Sequence, residues 1–413
     1  MIFFAWSLQD VKLFEVLVCN SLESHTVVAF RLSSYCYARF RGIKVVGLWT
    51  VPFFSSLSGR RSRVSNYEID TKFYSRFSLN ESYYKKAYGQ YLDALDKQFR
   101  GYEGIVFLTG TSRLSEQAVR EYFSGNKIVY WEAGMKGTIY MSITGVNADA
   151  DFRDFGAGEY SILARKFSEE CYFDVDQKLP LNFFRATLCR SIDLVYLLFL
   201  KYCLGNKEFE EFLTIGDVLK SKDQEVNNRV SDSDFILFID QVEFDTNSTH
   251  FGRKPKDITN DIKRLLHGAT EVESLRLIRR PHPRQRYTVI SESLQQEFPA
   301  IYSDDFESSL HDTLDKAHLV VTVNSTAGME ALMLGIPVVT LGRSYFDNLY
   351  GVLSVEEGIR FVGDSLVVDP ERIQREAKAF LLNNFIPIDY RGGNFYPVHG
   401  IDQFLSEVNQ IQI

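Results

Sequence analysis

A chain of 413 residues is too long for one ordinary core, and a formal net charge of −8 argues against a nucleic-acid backbone as its main partner, since that needs concentrated Lys and Arg. Its 45% hydrophobic content can fill two or three cores, and most of its 14% aromatic content belongs inside them, although rings also line sugar and base sites. Five scattered cysteines (Cys19, Cys36, Cys171, Cys189, Cys203) form no C-x-x-C pair, which argues against a disulfide framework or zinc site and for a reducing compartment.

The opening "MIFFAWSLQD" lacks a basic region and a cleavage site and reads as a first strand, not a signal peptide. Apolar strand runs follow at 2–6, 26–30, 43–49, 104–110 and 127–134, with amphipathic helical segments at 83–99 and 114–123 among them. Such alternation implies parallel strands joined by crossover helices. A helical stretch occupies 160–204. Its most apolar part, Leu194–Leu204, is interrupted by Tyr196, Lys201 and Tyr202 and is too short to span a bilayer, so the expectation is a soluble or at most peripheral protein. The polar run 206–234 reads as a linker. A second β/α set has strands at 235–241, 275–282, 319–325 and 336–342, and the last residues form a terminal helix. The expected class is α/β, with two Rossmann-like domains (1–205 and 235–385), a cleft between them, and a tail (386–413) packing back.

"VTVNSTAGMEALMLGIPVVTLG" (321–342) is a compact β-α-β unit, closed by Gly335 and Pro337. Ligands of such units sit at the carboxyl end of the strand, against the helix amino terminus. Asn324, Ser325 and Thr326 are all capping types, but Gly328 and Met329 stand where a capping box needs its acid, so Glu330 has no capping role. The pattern Ser325, Gly328, Glu330, Ala331, Gly335, Pro337 resembles the nucleotide-sugar signature of GT-B glycosyltransferases, which epimerases of the same fold share. That resemblance gives Ser325 and Thr326 to a donor phosphate and Glu330 to ribose hydroxyls, with small residues such as Gly328 letting the phosphate approach.

"LIRRPHPRQ" sets His282 just after a strand, behind Arg279 and Arg280. A proton donor beside two guanidinium groups suits a phosphate leaving group, and the alternative is a histidine in an exposed basic loop. "FIDQVEFDTNS" brings Gln241 to a strand end and Asp245, Thr246 and Asn247 into the following turn. A carboxylate there can attack an anomeric carbon or stabilise an oxocarbenium ion, or Asp245 simply closes an Asx-turn. "YWEAGMKGTIYMSITGVNADADF" supplies Glu132 as a general acid/base, with Glu159 a weaker candidate. Arg253, Lys254 and Lys256 could hold a donor carboxylate or be ordinary basic surface. The basic segment 59–65 would meet anionic lipid or is a solvated loop.

Glu132-Ala133-Gly134, the Gln241–Asn247 segment, His282-Pro283 and the Ser325–Pro337 pattern, in this chain order, resemble the capsule polysaccharide synthesis family, and within it retaining β-Kdo transferases (Kdo is 3-deoxy-manno-octulosonic acid). Ala133 departs from the pattern where a second acid is usual. The resemblance implies an N-terminal acceptor-side domain and a C-terminal nucleotide-sugar domain. It implies a CMP-Kdo donor, an oligosaccharide or glycolipid acceptor of a capsule, O-antigen or lipopolysaccharide, and no metal or other cofactor. Asp245, Glu132 and His282 are then catalytic. Ser325, Thr326, Gly328, Glu330, Arg279 and Arg280 bind the nucleotide, and Gln241, Asn247 and Arg253 the donor sugar. The setting implied is the cytoplasm or the cytoplasmic face of the inner membrane, alone or within a multi-domain synthase. Other readings are a UDP-sugar epimerase, a CDP-polyol phosphotransferase, or a non-catalytic glycan-binding module.

Overall fold

The computed structural model describes residues 1–51, 81–110, 113–135, 137–156, 158–174, 187–189, 191–192, 194–196, 198–199, 235–241, 251–268, 276–282, 288–306, 308–388 and 396–411. The basic segment 59–65, the polar run 206–234, Asp245 and Asn247 lie outside the described residues. The chain divides into two compact units, one comprising 1–151, 160–210 and 384–413, the other 152–159 and 211–383.

The first unit holds a seven-stranded sheet. Strands β1 (Ile2–Ala5), β2 (Thr26–Ala29), β3 (Val45–Gly47), β4 (Val106–Thr109) and β5 (Ile128–Ala133) are parallel; β6 (Ile139–Ser142) and β14 (Phe385–Ile386) extend the sheet beyond β5 by two antiparallel strands. The order is β14-β6-β5-β4-β1-β2-β3. β1 and β2 are buried at every position, as strands covered on both faces must be, which is why they read as unbroken apolar runs. Helix α1 (Leu8–Val18) starts immediately after β1 because Ser7 and Asp10 form a reciprocal capping box, each side chain accepting the other's backbone N–H. Helices α2 (Leu32–Phe40), α3 (Glu81–Phe99), α4 (Leu114–Tyr122) and α5 (Ile162–Glu170) follow in chain order. The aromatic residues do pack inside: Phe3 lies 5.9 Å from Phe107, 5.5 Å from Trp131 and 5.4 Å from Phe14. A two-stranded ribbon pairs β7 (Tyr172–Phe173) with β15 (Val398–His399), and the C-terminal helix α12 (Ile401–Gln410) buries Ile401, Phe404, Leu405 and Val408 in the same core.

The second unit is a six-stranded parallel sheet in the order β10-β9-β8-β11-β12-β13. Its strands are β8 (Phe235–Ile239), β9 (Arg276–Arg280), β10 (Tyr302–Asp304), β11 (Ala317–Thr322), β12 (Val338–Thr340) and β13 (Val352–Leu353). Between them run α6 (Pro255–Gly268), α7 (Val289–Glu297), α8 (Leu310–Leu314), α9 (Thr326–Met333) and α10 (Val355–Val362), with α11 (Pro370–Asn384) after β13. Ile236, Phe238, Leu277, Leu319, Val321 and Val339 from the sheet meet Ile258, Ile262 and Leu265 of α6 in one core. The chain visits this unit early, through 152–159, where Phe152 packs edge-on against Tyr345 and Phe380 and Arg153 pairs with Asp347 at 3.5 Å. Both units are doubly wound, so the class is α/β with two Rossmann-like domains. Among the described residues, no helix is long and apolar enough to cross a membrane.

Candidate active site

In the second unit the chain runs outward from β8 through β9 to β10, then returns to the other side of β8 to build β11, β12 and β13. The strand order therefore reverses between β8 and β11, and a crevice opens beyond their carboxyl ends, where open α/β sheets bind ligands. Gln241 follows β8, His282 follows β9, and Ser325 and Thr326 follow β11, so three segments far apart in the chain end at neighbouring positions.

Ser325 is the N-cap of α9, its Oγ accepting the Ala327 N–H at 3.3 Å, while its own N–H donates to Thr322 Oγ1 at 3.2 Å. The capping alternative is thus realised, and it coincides with the ligand reading, because the positive helix end still faces the crevice side of the sheet. Thr326 opens the helix and Glu330 is half-buried one turn further on. His282 is half-buried behind the buried Pro281.

Gly328 has a different reason from the one expected. A Cβ there would lie 2.8 Å from Cζ of Phe346 and 3.2 Å from Cγ2 of Thr322, so the missing side chain makes room for a buried ring. Gly328→Ala is expected to cost about 1–3 kcal/mol of stability without any ligand, read as a lower denaturant midpoint. A variant as stable as the parent would restore the ligand-approach explanation.

Gln241 is likewise committed to the protein. Its Oε1 accepts the Asn324 N–H at 2.8 Å and its Nε2 donates to Asn324 Oδ1 at 3.0 Å. Asn324 is buried and its Nδ2 also donates to the Arg343 carbonyl at 3.3 Å. This reciprocal amide pair rivets β8 to β11 beyond their carboxyl ends.

Arg279 departs furthest from expectation. It is wholly buried in β9, with Nε donating to Asp240 Oδ2 at 2.8 Å and Nη1 to Asp304 Oδ1 at 3.0 Å. Asp240 also accepts from Thr288 Oγ1 at 2.8 Å and from the Gln241 N–H at 2.8 Å, and Tyr302 donates to Asp304 at 2.8 Å. Burial by itself would push the Arg279 guanidinium down, but the Asp240 and Asp304 carboxylates outweigh it and hold the group above its ordinary range. Burial pushes the Tyr302 hydroxyl up. Strand alternation explains the outcome: Arg279 and Arg280 point to opposite faces, and only one of them can stand apart from this buried network. Arg280 is partly exposed and pairs with buried Asp305 at 3.2 Å. It remains the one of the two that can offer charge to a nucleotide.

Arg253 binds Asp261 of α6, with its side chain about half exposed, and Lys254 and Lys256 are exposed. Glu159 lies in the 152–159 segment, its carboxylate accepting the Gly156 N–H at 2.6 Å in an exposed turn, which suits turn closure. Glu132 sits inside β5, not after it, directly opposite Tyr140 of β6. Its Oε2 accepts the Tyr140 hydroxyl at 2.5 Å.

Sequence reading missed Asp240, Asn324 as a rivet, Thr288 and Tyr140. Asp240 had a signal, a carboxylate ending a fully apolar strand; the others are ordinary types whose role depends on partners 48 to 83 residues away or across a strand pair.

Residues 216–357 match the family described as capsule polysaccharide biosynthesis protein. No curated protein sequence matches the chain. Solved structures similar to it include the Thermosulfurimonas dismutans KpsC β-Kdo 2,7 transferase at 14% identity, covering 99% of this chain and 98% of that one with a TM-score of 0.42. The calicheamicin glycosyltransferase CalG4 is 14% identical over 100% and 99% of the two chains, TM-score 0.38. A Neisseria meningitidis UDP-GlcNAc 2-epimerase is 11% identical over 92% and 97%, TM-score 0.31. The segment that matches this family model contains β8 through β13 and the switch-point crevice.

Proposed function

We propose that the protein is a glycosyltransferase of capsule-type polysaccharide synthesis that transfers Kdo, or a related acidic sugar, from its CMP-activated form to a glycan or glycolipid acceptor at the cytoplasmic face of the inner membrane. The observation that carries this reading is the meeting of the Gln241, His282 and Ser325/Thr326 segments at the ends of β8, β9 and β11. A nucleoside monophosphate placed there has the α9 amino terminus and an imidazole for its growing negative charge, with Arg280 a further cation. Glu330 accepts from ribose hydroxyls. Asp245, in the segment between β8 and α6, attacks the anomeric carbon; the sugar–phosphate bond breaks and CMP leaves with the electron pair. Glu132 then takes the proton of the acceptor hydroxyl as it displaces Asp245, giving net retention. No metal enters this scheme, because helix dipole, imidazole and guanidinium do the neutralising.

Thermal unfolding with nucleotides tests the donor. CMP at one hundred times its Kd should stabilise the folded state by about 2.7 kcal/mol and raise Tm by several degrees, with UDP far weaker. Protection by UDP and not by CMP would replace this reading with the epimerase one. No protection by any nucleotide would favour a glycan-binding module.

A further inference from the structure

β5 alternates: Val129 and Trp131 enter the core with Phe3 and Phe107, and Tyr130 and Glu132 therefore face the other side of the sheet. Across the antiparallel ladder, Tyr140 stands opposite Glu132 and donates its hydroxyl to Oε2 at 2.5 Å. That hydroxyl oxygen in turn accepts the backbone N–H of Asn147 at 2.6 Å. The Tyr140 ring is buried and held edge-on by Phe385 of β14, centroids 5.5 Å apart. Asn147 is only 3% exposed and has φ of 52°, in the left-handed region that non-glycine residues rarely enter. Its own Oδ1 is buried with no hydrogen-bond partner among the described residues. This loop is not shaped to satisfy the Asn147 side chain; its strained turn presents the backbone N–H.

We propose that Tyr140, polarised by the Asn147 N–H, is the positioning residue for Glu132, holding it ionised and in one orientation to receive the acceptor proton. The inference deepens the catalytic reading of Glu132 and rests on it. The physical reason is directional: the Asn147 N–H donates to the Tyr140 oxygen, so the phenolic proton is committed to Glu132, and a donated hydrogen bond favours the charged carboxylate. Among the described residues, the other titratable groups on flanking elements include Asp149 and Asp151 of the loop after β6, Tyr130 on the same strand face, and Arg120 of α4 over the Tyr130 ring at 6.0 Å. On β14 the neighbour is the apolar Phe385.

Two measurements on the full chain test it, using Tyr140→Phe. In carbon-13 NMR of labelled glutamate, with Glu132 assigned by its loss in Glu132→Gln, the Glu132 carboxyl should titrate about one pH unit higher in Tyr140→Phe than in the parent. An unchanged titration overturns the proposal, whatever the enzyme does. In the transfer assay the acid limb of the kcat profile should move up by the same unit, costing about tenfold on that limb and little at high pH, with the acceptor KM nearly constant. A loss equal at every pH means a merely structural tyrosine and also overturns it. Asn147→Gly keeps the N–H and suits the backbone angle, so it should retain the parent profile; a profile like that of Tyr140→Phe would refute the assigned backbone role. Full activity in Glu132→Gln would instead remove the base assignment itself, an outcome the NMR titration distinguishes.

Discussion

Arg279→Ala is expected to destabilise the β8–β13 unit by about 3–5 kcal/mol, the usual cost of stranding a buried charge by removing its partner. Both carboxylates would be left behind: among the described residues, Asp240 would keep Thr288 and the Gln241 N–H, and Asp304 would keep Tyr302. Denaturant unfolding of the full chain measures this as a lower midpoint of the transition belonging to this unit. The double variant Arg279→Met, Asp240→Asn should lose less than the single Arg279→Ala, because it removes one of the two stranded charges together with its partner. If Arg279 were a nucleotide ligand instead, stability would hardly change and CMP affinity would fall alone. A folded, stable Arg279→Ala protein with weakened CMP binding would therefore reverse the assignment made from burial.

Asp245→Ala is expected to lower transfer by about 10³-fold or more, as loss of a covalent nucleophile does, while CMP binding stays within about twofold. Transfer to a defined acceptor is read by product formation, and the anomeric configuration of the parent's product by NMR. The product should keep the donor's configuration. An inverted product would remove Asp245 as nucleophile and leave Glu132 as the base of a single displacement. A stability loss without a catalytic one would show that Asp245 only closes an Asx-turn, and the same substitution then separates turn from chemistry.

Much of the fold is legible in the chain because its physics is local. Strands buried on both faces must be apolar at successive positions, so 2–6, 26–30, 235–241 and 319–325 announce themselves, and the structure has strands at Ile2–Ala5, Thr26–Ala29, Phe235–Ile239 and Ala317–Thr322. The short antiparallel strand β6 is not among the strand runs read from the sequence. Its sequence, Ile139–Ser142, is only four residues long, and its pairing with β5 and β14 is supplied by chain segments before it and 243 residues after it.

The amino-acid sequence by itself determined the α/β alternation, the helix that begins at Ser325/Thr326, and the small set of polar residues placed just past apolar strands, because each depends on neighbours within one turn or one strand. Only the tertiary structure decided which of those polar residues the protein keeps for itself. Arg279 and Arg280 are adjacent and chemically identical, yet one lies in a closed network with Asp240 and Asp304 and the other reaches the surface beside Asp305. Gln241 and Gly328 meet Asn324 and Phe346, which other parts of the chain bring to them. The physical reason is that a buried polar group or a bare backbone takes whichever partner folding brings within reach, and that partner is not written next to it in the sequence.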